Sequence, residues 1–144
     1  SRQESTLQQT RENRRLFLPL EWSTHGQKYA KLHVAEGEVV GAVVDFTDMS
    51  SYGSGGTATS EKNAAGFRLL AIDPAFQGRG VGRLLSQFCI DRTKELNIPR
   101  LLIHSTESMK IAWGLYERLG FQRYENLDFM QGNLEVFGFQ MQLG

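Results

Sequence analysis

Between Leu69 and Leu85 the chain reads LLAIDPAFQGRGVGRLL, an apolar strand that stops at Asp73-Pro74 and passes through alternating glycines into an apolar helix. No other stretch constrains the fold as tightly. Proline cannot donate to a central ladder, so the strand ends there. Gly78, Gly80 and Gly82 permit positive φ and let a ligand approach the backbone with no Cβ in the way. The helix that follows opens with N–H groups lacking intrahelical partners and a partial positive charge, and Arg79 and Arg83 add local cations. Such a junction suits a diphosphate at a helix start. It also requires a sheet for the helix to lie on.

Two common nucleotide motifs fail against the letters. A P-loop needs Lys and then Ser or Thr after its last glycine, whereas Gly82 is followed by Arg83 and Leu84. A dinucleotide fingerprint needs a glycine three positions after its second, and Gly80 leads instead to Arg83.

The rest of the chain supplies the sheet. Residues 1 to 18 place Leu7, Thr10, Arg14 and Phe17 on one face of a polar surface helix. Lys28 to Phe46 reads as a hairpin, with Leu32 and Val34 before the break Glu36-Gly37-Glu38 and the β-branched run Val39 to Val44 after it. Thr47 to Ala65 is mostly Ser, Thr and Gly with no apolar period, and reads as a long functional loop. Gly66 to Asp73 is the strand before the glycine-rich junction. Residues 82 to 97 form a helix with Leu84, Leu85, Phe88, Cys89 and Leu96 on one stripe, stopped by Asn97 and Pro99. Leu101 to Ser105 is a short strand, and Ser108 to Leu119 is a helix that Gly120 ends in the left-handed conformation. A strand begins at Phe121, and Glu135 to Leu143, after a turn at Gly132-Asn133, closes the sheet as an edge partner.

A length of 144 residues fits one domain. Sixteen basic and sixteen acidic residues leave no net field to draw nucleic acid or an anionic membrane, so neither is expected as a partner. The single cysteine, Cys89, excludes an intramolecular disulfide and fits a small core hydrophobe. No apolar run approaches the roughly 18 to 20 residues that span a bilayer, and a cytoplasmic location is expected. His25 and His33 have no metal-ligand spacing, and no metal is expected.

Gln77-x-x-Gly80-x-Gly82 after a strand ending in Asp-Pro resembles the acetyl-CoA signature of the GNAT N-acetyltransferases, and Leu115-Tyr116-Glu117-Arg118-Leu119-Gly120-Phe121 is similar to their LYxxxGF block. The resemblance covers about residues 28 to 143. It implies a single-domain α/β fold over 1–144, with an N-terminal helical segment over 1–27 and an acetyl-CoA-binding core over 28–143. The sheet would be mixed and mostly antiparallel, flanked by helices. Relatives carry a strand and two helices before the hairpin, so whether that first strand exists here is left open.

The resemblance further implies acetyl-CoA as cosubstrate. Backbone groups of Leu70, Ala71 and Ile72 would meet the pantetheine arm, and amides from Gln77, Gly78, Arg79, Gly80, Val81, Gly82 and Arg83 would meet the diphosphate. The strand before the signature would splay from Leu101 to Ser105 to admit the thioester. Tyr116 would protonate the departing thiolate, a role suited to a phenol whose ordinary pKa is about 10. The acceptor would be an amine of a small molecule or peptide that attacks directly in a ternary complex, with most of the rate coming from positioning.

Departures from the family pattern matter. Where many relatives have a glutamate acting as base, near Gly66 or Phe67, this chain has Ala65-Gly66-Phe67-Arg68, which leaves the base unassigned: Asp45, Glu61, His104 and Glu107 are the candidates, and an amine arriving neutral would need none. Met109 stands where relatives often have asparagine. The missing glutamate supports a competing reading, a non-catalytic acyl-CoA-binding regulatory domain. A third reading is a protein-binding module working through the arginine-bearing first helix. A homodimer through the C-terminal edge strands is compatible with the pattern.

Overall fold

The computed structural model describes residues 20–24, 27–33, 39–52, 56–106 and 109–144. Within them the β-branched and apolar runs form one mixed sheet. Its strands are β1 (Leu20–Thr24), β2 (Gln27–His33), β3 (Val39–Phe46), β4 (Ala64–Ile72), β5 (Arg100–Thr106), β6 (Gln122–Arg123), β7 (Phe129–Gln131) and β8 (Leu134–Gln142). The spatial order is β1-β2-β3-β4-β5-β8-β6, with β7 also on β8. Only β4 and β5 run parallel; the other pairs are antiparallel. A parallel pair needs a crossover, and helix α1 (Val81–Glu95) supplies it. Helix α2 (Lys110–Leu119) follows β5.

The two sheet faces carry separate cores. Val43, Phe67, Leu101, Ile103 and Phe139 pack with Leu85 and Cys89 of α1 and Tyr116 of α2. Val44, Phe46, Ala64 and Leu102 point the other way, against Met49, Tyr52, Ala58 and Leu127. Leu101, Leu102 and Ile103 are all buried, because β5 is covered on both faces. Cys89 is a buried member of the first core.

Three expectations are corrected here. Leu20–Thr24, placed in an N-terminal helical segment, is a strand paired antiparallel with β2, and only two residues separate them. The helix expected over 1–18, the hairpin turn at 36–38 and Glu107 lie outside the described residues. Thr47 to Ala65 is not a free loop: it makes 3-10 turns at Met49–Ser51 and Ala58–Ser60, and Met49, Tyr52 and Ala58 are buried. Its apolar residues are too few to show a period but large enough to cap the second core. The C-terminal strand β8 is interior, bonded to β5 over seven residue pairs and flanked by β6 and β7. Burial of Phe139, Val136 and Met141 demands that position. Among the described residues no helix is long and apolar enough to cross a membrane.

Candidate active site

Two features at the middle of the sheet open a gap. The β4–β5 ladder holds only three residue pairs, Ala64–Arg100, Ala65–Leu101 and Gly66–Leu102, although both strands run on. On its other edge β4 pairs Val43 with Leu69 and Ala42 with Ala71, which leaves Leu70 as the extra residue of a β-bulge. A bulge bends its strand and leaves the extra residue outside the ladder. Beyond Gly66 the two strands therefore diverge, and Leu70, Ala71 and Ile72 lie along the divergent part of β4.

The glycine-rich junction stands at the end of β4. Asp73 caps a 3-10 turn over Pro74–Phe76, accepting from the Ala75 N–H at 2.9 Å. Gly78 and Gly80 adopt φ of 77° and 85°, and nothing lies within 4 Å of where a Gly78 Cβ would stand. Gly82 serves packing instead, since it lies inside the first turn of α1, where a Cβ would be 3.1 Å from Ile72 Cδ1. The Gln77 N–H donates to the Pro74 carbonyl and the Arg79 N–H to the Phe76 carbonyl, both at 3.3 Å. The Leu84 N–H makes the first helical bond, to Gly80. Among the described backbone bonds, the amides of Gly78, Gly80, Val81, Gly82 and Arg83 have no acceptor. An anion at a helix start uses N–H groups of that kind. The side chain of Arg79 is exposed and that of Arg83 partly buried.

Tyr116 approaches from α2. Its carbonyl accepts from the Phe121 N–H at 2.9 Å, while Gly120, at φ 110°, turns the chain and donates to Glu117. This is a Schellman stop with its usual apolar contact, since the Tyr116 and Phe121 rings lie 5.8 Å apart. The LYxxxGF pattern is thus a helix terminator that also fixes the tyrosine ring, which packs edge-on against Phe67 of β4. Only 3% of Tyr116 is exposed. Burial, with a smaller contribution from the Tyr52 phenol, pushes its pKa up to about 12.

On the opposite face a row of planar groups bridges the divergent strands. The Arg68 guanidinium lies 5.0 Å from the Tyr52 ring centroid and 5.5 Å from that of Phe46. The Tyr52 ring is 5.5 Å from the His104 ring, which is 5.2 Å from Phe129. The His104 backbone N–H, two residues past the last β4–β5 pair, donates to the Tyr52 hydroxyl at 3.2 Å. Gly66 makes room for this wedge: a Cβ there would be 3.0 Å from Tyr52 and 2.8 Å from the Met49 sulfur. A side chain at Gly66 would also meet the Leu102 carbonyl oxygen at 2.9 Å, and at the next position the Phe67 ring is buried in the first core. His104 Nε2 lies 3.1 Å from the Leu127 carbonyl, so in the neutral ring Nε2 carries the proton and Nδ1 the lone pair. Burial lowers the His104 pKa; the Leu127 carbonyl opposes this, and the Arg68 charge adds to it.

Two other base candidates are committed elsewhere. Asp45 is buried against α1 and pairs with Arg92 at 3.0 Å. Glu61 pairs with Arg100 at 2.9 Å, at the closed end of the β4–β5 pair. Sequence reasoning missed Tyr52 and Arg68. The signals were one aromatic in a Ser/Gly-rich stretch and one cation inside the apolar run GFRLLAI. Among the described residues no group of three or more His, Cys, Asp or Glu is placed to hold a metal.

The sequence model of the Acetyltransferase (GNAT) family matches residues 2–121. Among curated proteins, the mycothiol acetyltransferase of Thermomonospora curvata is 36% identical over 56 residues, 39% of this chain and 19% of the relative. The uncharacterized N-acetyltransferase YjgM of Escherichia coli K12 is 30% identical over 100 residues, 67% of this chain and 51% of the relative. The chain thus spans about half or less of the length of these relatives. A spermidine N-acetyltransferase of Vibrio cholerae, solved with CoA and spermine, superposes with a TM-score of 0.63 at 21% identity, over 83% of this chain and 67% of that one. At that identity the likeness is one of fold. With 120 of 144 residues inside the family match and the sheet dividing where the glycine-rich turn begins α1, this chain belongs to the GNAT acetyltransferase family.

Proposed function

We propose that the chain is an N-acetyltransferase that moves an acetyl group from acetyl-CoA to a primary amine of a small molecule or peptide. The observation that carries the reading is the divergence of β4 from β5 after Gly66, with the glycine-rich turn at its end and Tyr116 on its flank. The residues fit a CoA diphosphate: left-handed glycines, an open approach at Gly78, and amides at 78 and 80–83 without backbone acceptors. The amides of Gln77 and Arg79 already serve the turn, so in this reading those two residues shape the cradle and the others grip. The backbone of Leu70, Ala71 and Ile72 lines the pantetheine path on the edge turned away from β3; Ala71 and Ile72 stay paired with β3, and the bulge leaves Leu70 outside that ladder. A CoA complex of a protein with this fold supports the same cosubstrate.

Acetyl-CoA, when bound, supplies the acetyl group as a thioester. In the transfer a C–N bond replaces a C–S bond, the amine gives up one proton and the sulfur gains one. Tyr116 holds its proton at every physiological pH and can donate it to the negative charge that develops on the departing sulfur. His104, held across the gap with its pKa lowered by burial, is in this reading the group that takes the amine proton.

The test is thiol release from acetyl-CoA across a panel of amines. Tyr116→Phe should lower turnover about 10²-fold or more, the usual scale of general acid catalysis, while CoA still raises the melting temperature. The absence of a carboxylate at Gly66 and Phe67 favours one second reading, an acyl-CoA-binding domain without chemistry. In that case CoA would stabilise the protein and no amine would release thiol.

A further inference from the structure

Resting on that acetyl transfer, we propose that the acceptor is an amine that also carries a carboxylate, and that Arg68 holds the carboxylate. The glycine-rich turn and Tyr116 belong to the face covered by α1 and α2. The row Arg68, Tyr52, His104 and Phe129 belongs to the other face, across the divergent strands. With one reactant held from the first face, the second approaches the gap from the opposite one, where this row is what it meets.

Arg68 is the charged member of the row. It stands on β4 two residues past the last pair with β5 and two before the bulge. A partly buried guanidinium normally has a carboxylate partner, because desolvating a cation is costly. Here the hydrogen bond from Arg68 goes to a neutral acceptor, the Tyr52 carbonyl at 2.7 Å, and aromatic rings supply the remaining support. Among the described residues no carboxylate pairs with it. Guanidinium has five N–H donors in a planar fork that matches a carboxylate, so stacking on Phe46 and Tyr52 holds the fork in place with donors left to give.

The neighbouring acids strengthen the choice. Glu61 is matched by Arg100, and Asp128 by Arg123 at 2.6 Å. Asp45 is matched by Arg92 on the other face. A polyamine would need uncompensated carboxylates along its path; the described wall offers a cation and rings instead. The likeness to the spermine-bound Vibrio cholerae protein is one of fold and carries no acceptor chemistry with it. An acceptor of the amino-acid type, or an amine otherwise bearing a carboxylate, fits the wall.

Matched acceptors test the assignment. Thiol release is measured with amino acids, their carboxamides and spermidine. The carboxylate form should exceed its carboxamide in kcat/KM by about tenfold or more, the scale of a charge-assisted bidentate contact. In Arg68→Gln that ratio should fall towards one, and in Arg68→Lys it should be intermediate. A thermal shift with CoA shows that each variant folds. Calorimetry of N-acetylated amino acids and their carboxamides on the CoA complex gives the same ratio without turnover. A wild-type protein that favours spermidine or the carboxamide, or an Arg68→Gln that lowers both acceptors alike, overturns the inference while leaving acetyl transfer intact. Absence of thiol release with every amine counts against acetyl transfer instead, and the binding ratio then decides whether Arg68 recognises carboxylates.

Discussion

His104 shows how one side chain can be positioned and tuned by groups from several elements. Its backbone sits on β5, its Nε2 points to the Leu127 carbonyl, and its ring lies between Tyr52 and Phe129. Burial and the Arg68 charge lower its pKa, while the Leu127 carbonyl and Asp128 raise it. The net direction is downward, so the unfolded chain binds this proton more readily than the folded one. Stability attached to this residue is therefore complete above the ordinary histidine value of about 6.5 and is lost as pH falls through the folded pKa. Melting curves at pH 7.5 and 5.5 should show a drop that shrinks in His104→Gln, which keeps a donor for Leu127 but does not titrate in this range. Equal drops in both proteins would place the titration elsewhere. The same pair of experiments bears on the reaction, because a base that must be neutral loses activity over the same interval.

Among the elements, β8 is the one whose placement most affects the site. Gly138 pairs with His104 across the β5–β8 ladder, and its carbonyl accepts from the Tyr124 N–H at 2.9 Å while its N–H donates to Asp128 at 2.7 Å. A Cβ at Gly138 would collide with Leu127 Cβ and lie 2.7 Å from the Tyr124 carbonyl oxygen. Gly138→Ala must therefore displace the 3-10 turn Glu125–Leu127 that holds the His104 ring. We expect a loss of about 1–3 kcal/mol, the scale of overpacking a filled site, read as a lower urea midpoint. A change within about 0.5 kcal/mol would mean that the turn yields freely. Such placements mark the limit of what sequence discloses. The glycine-rich turn and the Gly120 stop were legible, because positive φ and helix capping are local demands on single residues. The bulge at Leu70, the early end of the β4–β5 ladder and the interior place of β8 were not, since each depends on which strand lies alongside. Tyr52 was hidden for a related reason: its value comes from filling the space over Gly66, fourteen positions on in sequence.

At the scale of the whole molecule the sheet is two half-sheets, β1–β4 and β5–β8, joined edge to edge over three residue pairs and clasped by separate cores on the two faces. A ligand lying in the divergent part would touch both halves and stand in for the missing ladder. Binding to the folded state alone at about 100 times the dissociation constant adds roughly 2.7 kcal/mol, so CoA should raise the melting temperature by several degrees. A rise alone does not locate the site, because a cavity of about 730 Å³ lies at the closed end, lined in part by Asp48, Ser50, Thr59, Asn63 and Asn97. Amide hydrogen exchange separates the two. Protection on adding CoA should appear at 78–83 and at alternate amides of 67–72 and 103–106, whose V-facing groups lack a neighbouring strand. Protection centred instead on 47–50, 59–64 and 97–99 would move the ligand to the closed end, and the divergence of β4 and β5 would then be a feature of the fold without this ligand.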